Sequence, residues 1–321
     1  MRRTCGGTAS ARQIDDVRIG RALSKVLVTG ATGFTGRYLA PRLAAAGYEV
    51  HGTTHGTAGG NVDGGVQLYD VDLTDAKAVE QVVAEVSPAK VVHLAAIAFV
   101  AHSDIAEMYR TNILGTRNLL GALASTSCQP DAVLIASSAN VYGNSRSGKL
   151  DESALPTPAN DYAVTKVAAE NIATLYRDRL PLIVTRPFNY TGVGQSLDFV
   201  IPKIVDHARR RSPEIELGNL DVERDFSDVR AIADAYLELL NCSEAIGGTF
   251  NVCSGRHHSL REVIAMVEEI SHQSMKVAIN PAFVRRDEVL RLYGDNSLLS
   301  RVIGPLQMPP LKDTLQWMLE A

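Results

Sequence analysis

The stretch Val26-Leu27-Val28-Thr29-Gly30-Ala31-Thr32-Gly33-Phe34-Thr35-Gly36 decides the fold. Its run of branched apolar residues predicts a buried strand, and glycines at dinucleotide-binding spacing follow that strand directly. The apolar spacing of residues 34–46 then predicts an amphipathic helix. Gly30 permits the tight turn, Gly33 lets the backbone approach a pyrophosphate, and Gly36 allows close packing of helix on strand. A merely structural turn is the alternative, but the strand before and the helix after the glycines favour dinucleotide binding.

Beyond this stretch, short apolar strands alternate with amphipathic helices. Strands are predicted at residues 49–53, 66–71, 91–94, 132–136, 182–185 and 249–252, with helices between them, including one at residues 75–86. Such alternation predicts an α/β fold, with a Rossmann-type doubly wound parallel sheet and a smaller, mainly α C-terminal substrate lobe. A sheet of this kind binds its ligand outside the carboxyl ends of its strands.

The chain is predicted to divide into two folded lobes and a tail. The basic start of residues 1–24 is not followed by the apolar core of a signal peptide. We expect these residues to be a flexible tail, and an alternative start site would explain them equally well. The NAD(P)-binding sheet domain is predicted to comprise residues 25–189 and 227–253. The smaller substrate lobe is predicted to comprise residues 190–226 and 254–321, so that the site forms between the lobes.

Composition excludes several classes of protein. Charges that nearly balance, at a net of −4 over 321 residues, indicate neither disorder nor a nucleic-acid-binding surface. No apolar run is long enough to cross a bilayer, so no membrane partner is expected. Cys5, Cys128, Cys242 and Cys253 lack paired metal-ligand spacing, so we expect no metal site and reduced thiols in a cytoplasmic protein.

The strand ends predict where a dinucleotide would lie and which one it would be. The second strand ends at Thr53 without the Asp or Glu that would accept from an adenosine ribose hydroxyl. Because a carboxylate there would repel a 2′-phosphate, its absence favours NADP(H), with NAD(H) possible. The cofactor contacts expected along the turn and the strand ends are Gly30, Thr32, Gly33, Phe34, Gly36, Thr53, Asp72, Leu73, Leu94, Ala95 and Ala96.

Tyr162 and Lys166 are the candidate acid–base pair. They are four residues apart on a predicted helix and so share one face. A lysine beside a tyrosine favours the phenolate, so Lys166 is expected to lower the pKa of Tyr162 from about 10 towards neutrality. Ser138 follows the predicted strand 132–136, at the end where the ligand should lie. The alternatives are an ordinary packed ring with a solvated lysine head, and a serine that only forms a turn.

The glycine turn, Ser138 and the Tyr162–Lys166 pair together resemble the extended short-chain dehydrogenase/reductase family, in its nucleotide-sugar branch. The resemblance extends from Lys25 over nearly the whole remaining chain. It implies that Ser138 hydrogen-bonds the substrate oxygen, Tyr162 transfers the proton, and Lys166 holds the nicotinamide ribose. It also implies that Asn112 faces the site, and that the segment from Thr185 to Asn189, with Pro187, joins the nicotinamide end to the sugar diphosphate.

Later segments resemble the GDP-mannose 4,6-dehydratase branch, and more closely its partner reductases of GDP-4-keto-6-deoxy-D-mannose. The resemblance implies that Asn189, Arg224 and Arg285 contact the diphosphate. It further implies that Lys203 meets a guanine oxygen and that Glu288 binds the ribose hydroxyls. An arginine fork suits phosphate oxygens and a carboxylate suits vicinal hydroxyls, although each charged residue could instead form a surface ion pair.

The residue at position 140, an Asn in this chain, distinguishes the dehydratases from the reductases. A 4,6-dehydratase needs groups that remove a proton from C5 and protonate the leaving hydroxyl at C6. Where those enzymes carry a Glu, often preceded by an Asp, this chain has Asn140 after Ala139. The sequence therefore predicts NADP(H)-dependent reduction of the 4-keto group of GDP-4-keto-6-deoxy-D-mannose to GDP-D-rhamnose. Ala98, where relatives often place a polar group near the sugar, leaves the stereochemistry at C4 open.

Two other functions remain open at this point. One is a nucleotide-sugar 4-epimerase or 4,6-dehydratase, which would recycle a tightly held cofactor without net oxidation. The other, from a different class, is a non-catalytic dinucleotide-binding sensor or scaffold. The family resemblance also implies a homodimer, formed by helices at residues 103–125 and 161–178.

Overall fold

The computed structural model describes residues 23–56, 60–62, 65–100, 103–143, 148–284 and 289–321. Its strands are, in chain order, β1 Ser24–Thr29, β2 Tyr48–Thr54, β3 Gly60–Val62, β4 Val66–Asp70, β5 Lys90–His93, β6 Ala132–Ala136, β7 Leu182–Pro187, β8 Asn189–Thr191, β9 Glu214–Leu217, β10 Glu223–Arg224, β11 Phe226–Asp228, β12 Thr249–Val252, β13 His258–Ser259, β14 Lys276–Ile279 and β15 Arg291–Leu292. Its α-helices are α1 Phe34–Ala45, α2 Ala76–Val86, α3 Ile105–Tyr109, α4 Gly115–Ser125, α5 Asp161–Thr174, α6 Val200–Arg209, α7 Val229–Leu240, α8 Leu260–Ser271, α9 Ser297–Ile303 and α10 Leu311–Glu320. Over these ranges, none of the helices is both long and apolar enough to span a membrane.

The main sheet has the strand order β12-β7-β6-β5-β1-β2-β4-β3. All its neighbouring strands run parallel except the edge strand β3, which is antiparallel to β4. The chain starts at β1, adds β2 and β4 on one side, and then returns to add β5, β6, β7 and β12 on the other. This is the doubly wound arrangement, so the predicted α/β, Rossmann-type sheet is confirmed.

Helices cover both faces of the sheet. On β1, Val26 and Val28 point into the core that includes α1 and α7, whereas Leu27 points into the core that includes α2 and α4. This alternation follows from the two-residue period of a strand. Because both faces are buried, the central strands are apolar throughout rather than alternately polar.

The winding reverses between β1 and β5, and this reversal positions the site. Thr29 at the end of β1 is in register with Thr53 on β2 and with His93 on β5. The turns that follow these three strands therefore lie level with one another at the carboxyl edge. A crevice forms outside such a reversal, because the connections leave in opposite directions.

A separate apolar core is formed by α6, α8, α10, β9 and β14. The short strands β9 and β14 were not predicted, because four residues carry too little periodic pattern. Thr314 on α10 connects this core to the end of β11, donating to Asp228 Oδ2 at 2.9 Å. Helix α9 packs on the core of the sheet domain through Leu299. The predicted division into lobes remains a prediction. Of the predicted tail, residues 1–22 lie outside the described residues, and Ser24 belongs to β1 instead.

Candidate active site

The glycine turn has the tight geometry that its spacing predicts. Gly30 has a φ of +69°, and a Cβ there would lie 3.0 Å from the backbone of Ala95. A Cβ on Gly36 would lie 2.5 Å from the carbonyl oxygens of Gly30 and Ala31. Gly33 is the N-cap of α1 and has no side chain to occupy the first amides of the helix. Those amides can therefore face a pyrophosphate, so the residues present fit a dinucleotide.

The neighbouring strand ends bring the other predicted cofactor residues to the same edge. Ala31 N–H donates to Thr53 O at 3.1 Å, and Thr32 and Thr54 share a side-chain hydrogen bond of 3.1 Å. Asp72 accepts from Thr74 N at 2.8 Å, a bond that lowers the pKa of the Asp72 carboxyl.

Four further predicted cofactor residues differ in how far they are buried. Leu73 is buried beneath Gly115, whereas Leu94, Ala95 and Ala96 are partly exposed after β5. The last three therefore border the crevice more directly than Leu73 does. Contact of any of these residues with a cofactor remains a prediction.

A directed chain of hydrogen bonds runs under the turn through His93. Thr116 donates to Asn112 O at 2.6 Å, so its hydroxyl oxygen accepts from His93 Nε2, 2.9 Å away. His93 Nδ1 then accepts from Thr29 Oγ1 at 2.7 Å, and Thr29 in turn accepts from Ala95 N. This assigns the neutral Nε2–H tautomer. Burial, with a smaller effect of nearby Lys166, lowers the pKa of His93 to about 3, in agreement with that assignment.

Asn112 joins the loop after β5 to the helix that carries Tyr162. Its Oδ1 accepts from Ile97 N at 2.8 Å, while its Nδ2 donates to Ile97 O at 3.1 Å and to Thr165 Oγ1 at 3.0 Å. Thr165 donates in turn to Tyr162 O at 2.7 Å. Asn112 lies in a π-helical turn, Arg110–Leu114, which interrupts the single helix predicted at residues 103–125. Both amide hydrogens of Asn112 therefore bind protein groups, and its contact with a cofactor remains a prediction.

Ser138 and Tyr162 face each other. Asn160 caps the start of α5 by accepting from Ala163 N, which places Tyr162 in the first turn. Ser138 Oγ accepts from Asn140 N and from Asn140 Nδ2, each at 3.1 Å. With these two bonds accepted, the Ser138 hydroxyl has its proton left to donate, and it acts on the pKa of the nearby Tyr162 phenol.

The pKa of Tyr162 differs from the sequence-based expectation. Burial and nearby Tyr190 raise it well above 10, and only the Ser138 hydroxyl lowers it. Lys166 does not lower it, because its ammonium donates to Ala136 O at 2.8 Å and lies 5.8 Å from the centre of the Tyr162 ring. Burial lowers the pKa of Lys166 from 10.5 to about 8, with Glu170 acting in the opposite direction. The expected direction was wrong, because helical spacing shows that residues are neighbours but not how deeply they are buried.

Tyr190 is a site residue that the sequence analysis missed. It follows Asn189 on β8, stacks on Phe34 at a centroid distance of 5.9 Å, and shares a 2.7 Å hydrogen bond with Thr35. Tyr190 therefore connects the start of α1 to Tyr162, whose pKa it raises. Its position directly after the predicted Asn189 was the signal that could have identified it.

A buried network beside Lys166 was also missed. Glu170 accepts from Ser137 Oγ at 2.6 Å and from Arg186 Nε and Nη2 at 2.9 and 2.7 Å. Arg186 further donates to Tyr142 OH at 3.1 Å, and Tyr142 donates to Asn251 Oδ1 at 2.7 Å. Arg186 was assigned to a junction near the diphosphate, whereas its guanidinium points into this network.

The predicted substrate residues lie in or beside the second lobe. Asn189 is partly exposed and is paired with Phe226 across β8 and β11. Lys203 donates to Glu216 O at 2.8 Å, and Arg224 donates to Glu223 O at 2.9 Å. Their contacts with a substrate remain predictions. Two further residues in this set, Arg285 and Glu288, lie outside the described residues.

Pro187 is buried at the end of β7, level with Val252 on β12. The adjoining Phe188 packs on the Tyr142 ring at a centroid distance of 6.1 Å. The predicted junction between the nicotinamide end and the sugar end therefore lies against the elements that carry Ser138 and Arg186. The contact of Pro187 with a cofactor is untested and remains a prediction.

Comparison with known proteins identifies relatives across nearly the whole chain. The sequence profile described as GDP-mannose 4,6 dehydratase matches residues 27–307. A GDP-6-deoxy-D-talose 4-dehydrogenase from Aggregatibacter actinomycetemcomitans is 35% identical, with 87% of this chain and 91% of that protein covered. A GDP-6-deoxy-D-mannose reductase from Pseudomonas aeruginosa is 33% identical, with 92% and 96% covered.

Solved structures agree with this placement. A crystal structure from Burkholderia cenocepacia J2315, described as that of a candidate epimerase, is 51% identical with a TM-score of 0.87, covering 94% of this chain and 98% of that one. The structure of RMD from Pseudomonas aeruginosa with NADPH is 32% identical with a TM-score of 0.78, covering 93% and 97%. The resemblance to nucleotide-sugar enzymes of the extended short-chain dehydrogenase/reductase family is therefore confirmed.

Proposed function

The chain belongs to the GDP-mannose 4,6-dehydratase family, and from that premise we propose that it is an NADPH-dependent reductase of a GDP-linked 4-keto-6-deoxyhexose. The substrate is GDP-4-keto-6-deoxy-D-mannose, and the product is GDP-6-deoxy-D-mannose, that is, GDP-D-rhamnose. The relatives named as a reductase and a dehydrogenase of GDP-6-deoxyhexoses support this reaction class. The observation that carries the choice of reduction over elimination is the amide at position 140.

Asn140 cannot remove or supply a proton as an elimination requires. Its side chain donates to Ser138 Oγ at 3.1 Å, so it orients the serine. Glu170, on the same helix as Tyr162, is bound by Arg186 and Ser137 through both carboxylate oxygens. Because both of its oxygens are taken up by these donors, the Glu170 carboxylate is not placed to exchange protons with a sugar.

Reduction needs one proton, and Tyr162 can supply it. The raised pKa keeps the phenol protonated at neutral pH, as a donor to the C4 oxygen must be. Ser138, with its hydroxyl proton free to donate, fixes that oxygen beside the phenol. By the family resemblance, Lys166 holds the nicotinamide ribose beside the phenol. Reduced nicotinamide supplies the hydride when the cofactor is bound.

The decisive experiment is to incubate the protein with GDP-4-keto-6-deoxy-D-mannose and NADPH and to follow the absorbance of the reduced nicotinamide. We expect loss of that absorbance in proportion to ketosugar consumed, and little with the dTDP-linked 4-ketosugar. Unchanged absorbance with every nucleotide ketosugar would reject the reductase proposal. Turnover of the dTDP sugar alone would reject only the GDP specificity.

Two alternatives have specific support and distinct products. The relative named GDP-6-deoxy-D-talose 4-dehydrogenase favours the opposite configuration at C4. Proton NMR of the product distinguishes the two, since the coupling between H3 and H4 is large in the rhamnose product and small in the talose product. The structure described as a candidate epimerase favours interconversion at C4, which would proceed without net consumption of NADPH.

The preference for NADP(H) over NAD(H) rests on the end of β2. Thr53 and Thr54 lie there in place of a carboxylate, and Arg37 is on the first turn of α1. The Pseudomonas aeruginosa structure with NADPH supports the same choice. We expect a lower KM for NADPH than for NADH, and Arg37→Ala to raise only the former. Equal KM values for the two cofactors would contradict the preference.

The protein is further proposed to be a homodimer through α3, α4 and α5. Ile105 on α3, Leu114 at the end of the π-helical turn before α4, and Val164 on α5 are 39%, 44% and 38% exposed, an apolar set that a second copy would cover. Leu114→Glu should therefore yield a monomer in light scattering, while the exposed Leu155→Glu should not change the mass. A wild-type protein that is monomeric at micromolar concentration would refute this proposal.

The reaction is proposed to take place in the cytoplasm. Among the described residues, Cys128, Cys242 and Cys253 are free thiols, and reduced thiols are typical of that compartment. Fractionation of cells that produce the protein at native levels should recover it with cytoplasmic markers. Recovery with a periplasmic or membrane fraction would contradict this.

A further inference from the structure

Glu170 lies where the segments of the candidate active site meet. It is on α5, two helical turns after Tyr162 and one turn after Lys166. One of its oxygens accepts from Ser137, the residue before Ser138, and both accept from Arg186, the residue before Pro187. On the basis of the proposed reduction, we propose that Glu170 is a positioning residue that fixes Ser138 and Lys166 in place and keeps the Lys166 ammonium charged.

The geometric part of this role follows from the hydrogen bonds. The Ser137–Glu170 bond of 2.6 Å joins the end of β6 to α5. Lys166 reaches the same strand end, donating to Ala136 O at 2.8 Å. The end of β6 and helix α5 are therefore joined by two side-chain bonds, which lie one helical turn apart on α5 and reach the adjacent residues Ala136 and Ser137. Two such anchors fix the separation between Ser138 on one element and Tyr162 on the other.

Arg186 adds the third segment. Its Nε and Nη2 form a two-point contact with Glu170, and its side chain is only 9% exposed. The guanidinium also lies 4.9 Å from the centre of the Tyr142 ring. Tyr142 ends the short turn that starts from Ser138. The Glu170–Arg186 ion pair therefore holds the segment from Ser138 to Tyr142 against β7.

The electrostatic part concerns Lys166. Burial disfavours its ammonium, and Glu170 acts against that effect. From the other packed elements, Lys166 faces the neutral His93 on β5, the Tyr162 phenol on its own helix, and the Ala136 carbonyl on β6. None of these three carries a formal negative charge at neutral pH. Glu170 is therefore the anion that keeps the lysine protonated.

The experiment compares three variants, E170Q, R186Q and the double variant E170Q/R186Q, with the wild-type protein. The control is E269Q, which breaks an exposed ion pair of 2.6 Å with Lys312 far from the site. Lysine labelled at its ε-carbon is titrated by NMR, and the Lys166 signal is assigned by its loss in Lys166→Arg. This measurement needs no substrate, so it is independent of the reaction assigned to the protein.

We expect the Lys166 midpoint near pH 8 in wild type and E269Q. It should fall by about 1 pH unit in E170Q, which loses the anion. R186Q should not lower it, since the anion remains. The double variant leaves no Arg186 guanidinium without its carboxylate partner, so it should fold even if E170Q fails to fold, and its Lys166 midpoint should lie below that of wild type. The alkaline limb of kcat/KM should move in the same order, with kcat reduced at least tenfold in E170Q.

A Lys166 midpoint that stays at the wild-type value in the double variant would overturn the proposal. So would an equal fall in R186Q and E170Q, because that would reflect general loosening rather than the charge at position 170. If the wild-type protein reduces no ketosugar, the proposed function fails, yet the NMR midpoints still decide the role of Glu170.

Discussion

Substitution of Asn112 by Asp tests whether the Asn112 side chain holds the loop after β5 against α5, a set of bonds that we call the Asn112 clamp. The new oxygen would take the place of Nδ2, which donates to Ile97 O at 3.1 Å and to Thr165 Oγ1 at 3.0 Å. Both partners, the partly buried Ile97 carbonyl and the buried Thr165 hydroxyl, lose their donor. At about 1–3 kcal/mol for each unsatisfied group, the free energy of unfolding should fall by about 2–6 kcal/mol when the carboxylate is ionised.

The loss should depend on pH in a defined direction. Burial against a carbonyl oxygen raises the folded-state pKa of the new carboxyl above its unfolded value of about 3.9. Stability relative to wild type is therefore highest below about pH 4, where the protonated carboxyl can donate. The stability of N112D relative to wild type falls as pH rises through the folded-state pKa and stays at the lower value above it.

Urea unfolding of wild type and N112D between about pH 5 and about pH 8 measures this difference. The matched control is Asn118→Asp, whose amide makes two similar bonds, to Leu73 O and Thr74 O, at a partly exposed position. Solvent there should reduce the loss to about 1–2 kcal/mol. The Asn112 clamp would be refuted if the free energy of unfolding of N112D equalled that of wild type at pH 8, or if the difference were the same at all pH values.

Three further predictions concern catalytic activity and cofactor binding. Tyr162→Phe should lower kcat/KM for the ketosugar by about 10²–10⁴-fold while NADPH affinity, measured by fluorescence, stays within about twofold, because only the proton donor is lost. Gly36→Ala should abolish measurable NADPH binding in calorimetry, since its Cβ would lie 2.5 Å from the Gly30 and Ala31 oxygens; an unchanged affinity would contradict the close packing of the turn. The kcat/KM of the wild type should fall as pH rises past about 8, because Lys166 loses its proton. If the same fall persists in Lys166→Arg, it belongs to another group.

Much of the sheet domain was predictable because its signals are local. The strands at residues 132–136 and 249–252 were predicted with the bounds observed, and the helix predicted at residues 75–86 begins one residue later, with Asp75 as its cap. Apolar runs, caps and glycine spacing each act within a few residues. The helix predicted at residues 103–125 is interrupted by the π-helical turn from which Asn112 bonds to Ile97, a contact that periodicity does not encode.

The candidate site was predictable in its residue types but not in its electrostatics. Ser138, Tyr162 and Lys166 were predicted and are neighbours, yet the pKa of Tyr162 moves opposite to expectation. Glu170 was missed because nothing near it in sequence indicates that Arg186 is its partner. Pairings across many residues depend on how elements pack.

The amino-acid sequence by itself determined the doubly wound sheet, the tight glycine turn and the side chains available for proton transfer, since strand and helix patterns and glycine geometry are properties of adjacent residues. Only the tertiary structure decided which of those side chains are buried, which carbonyl the Lys166 ammonium contacts, and that Glu170 and Arg186 neutralise each other. Burial and pairing set the charge states on which catalysis depends, and both arise from contacts between distant parts of the chain.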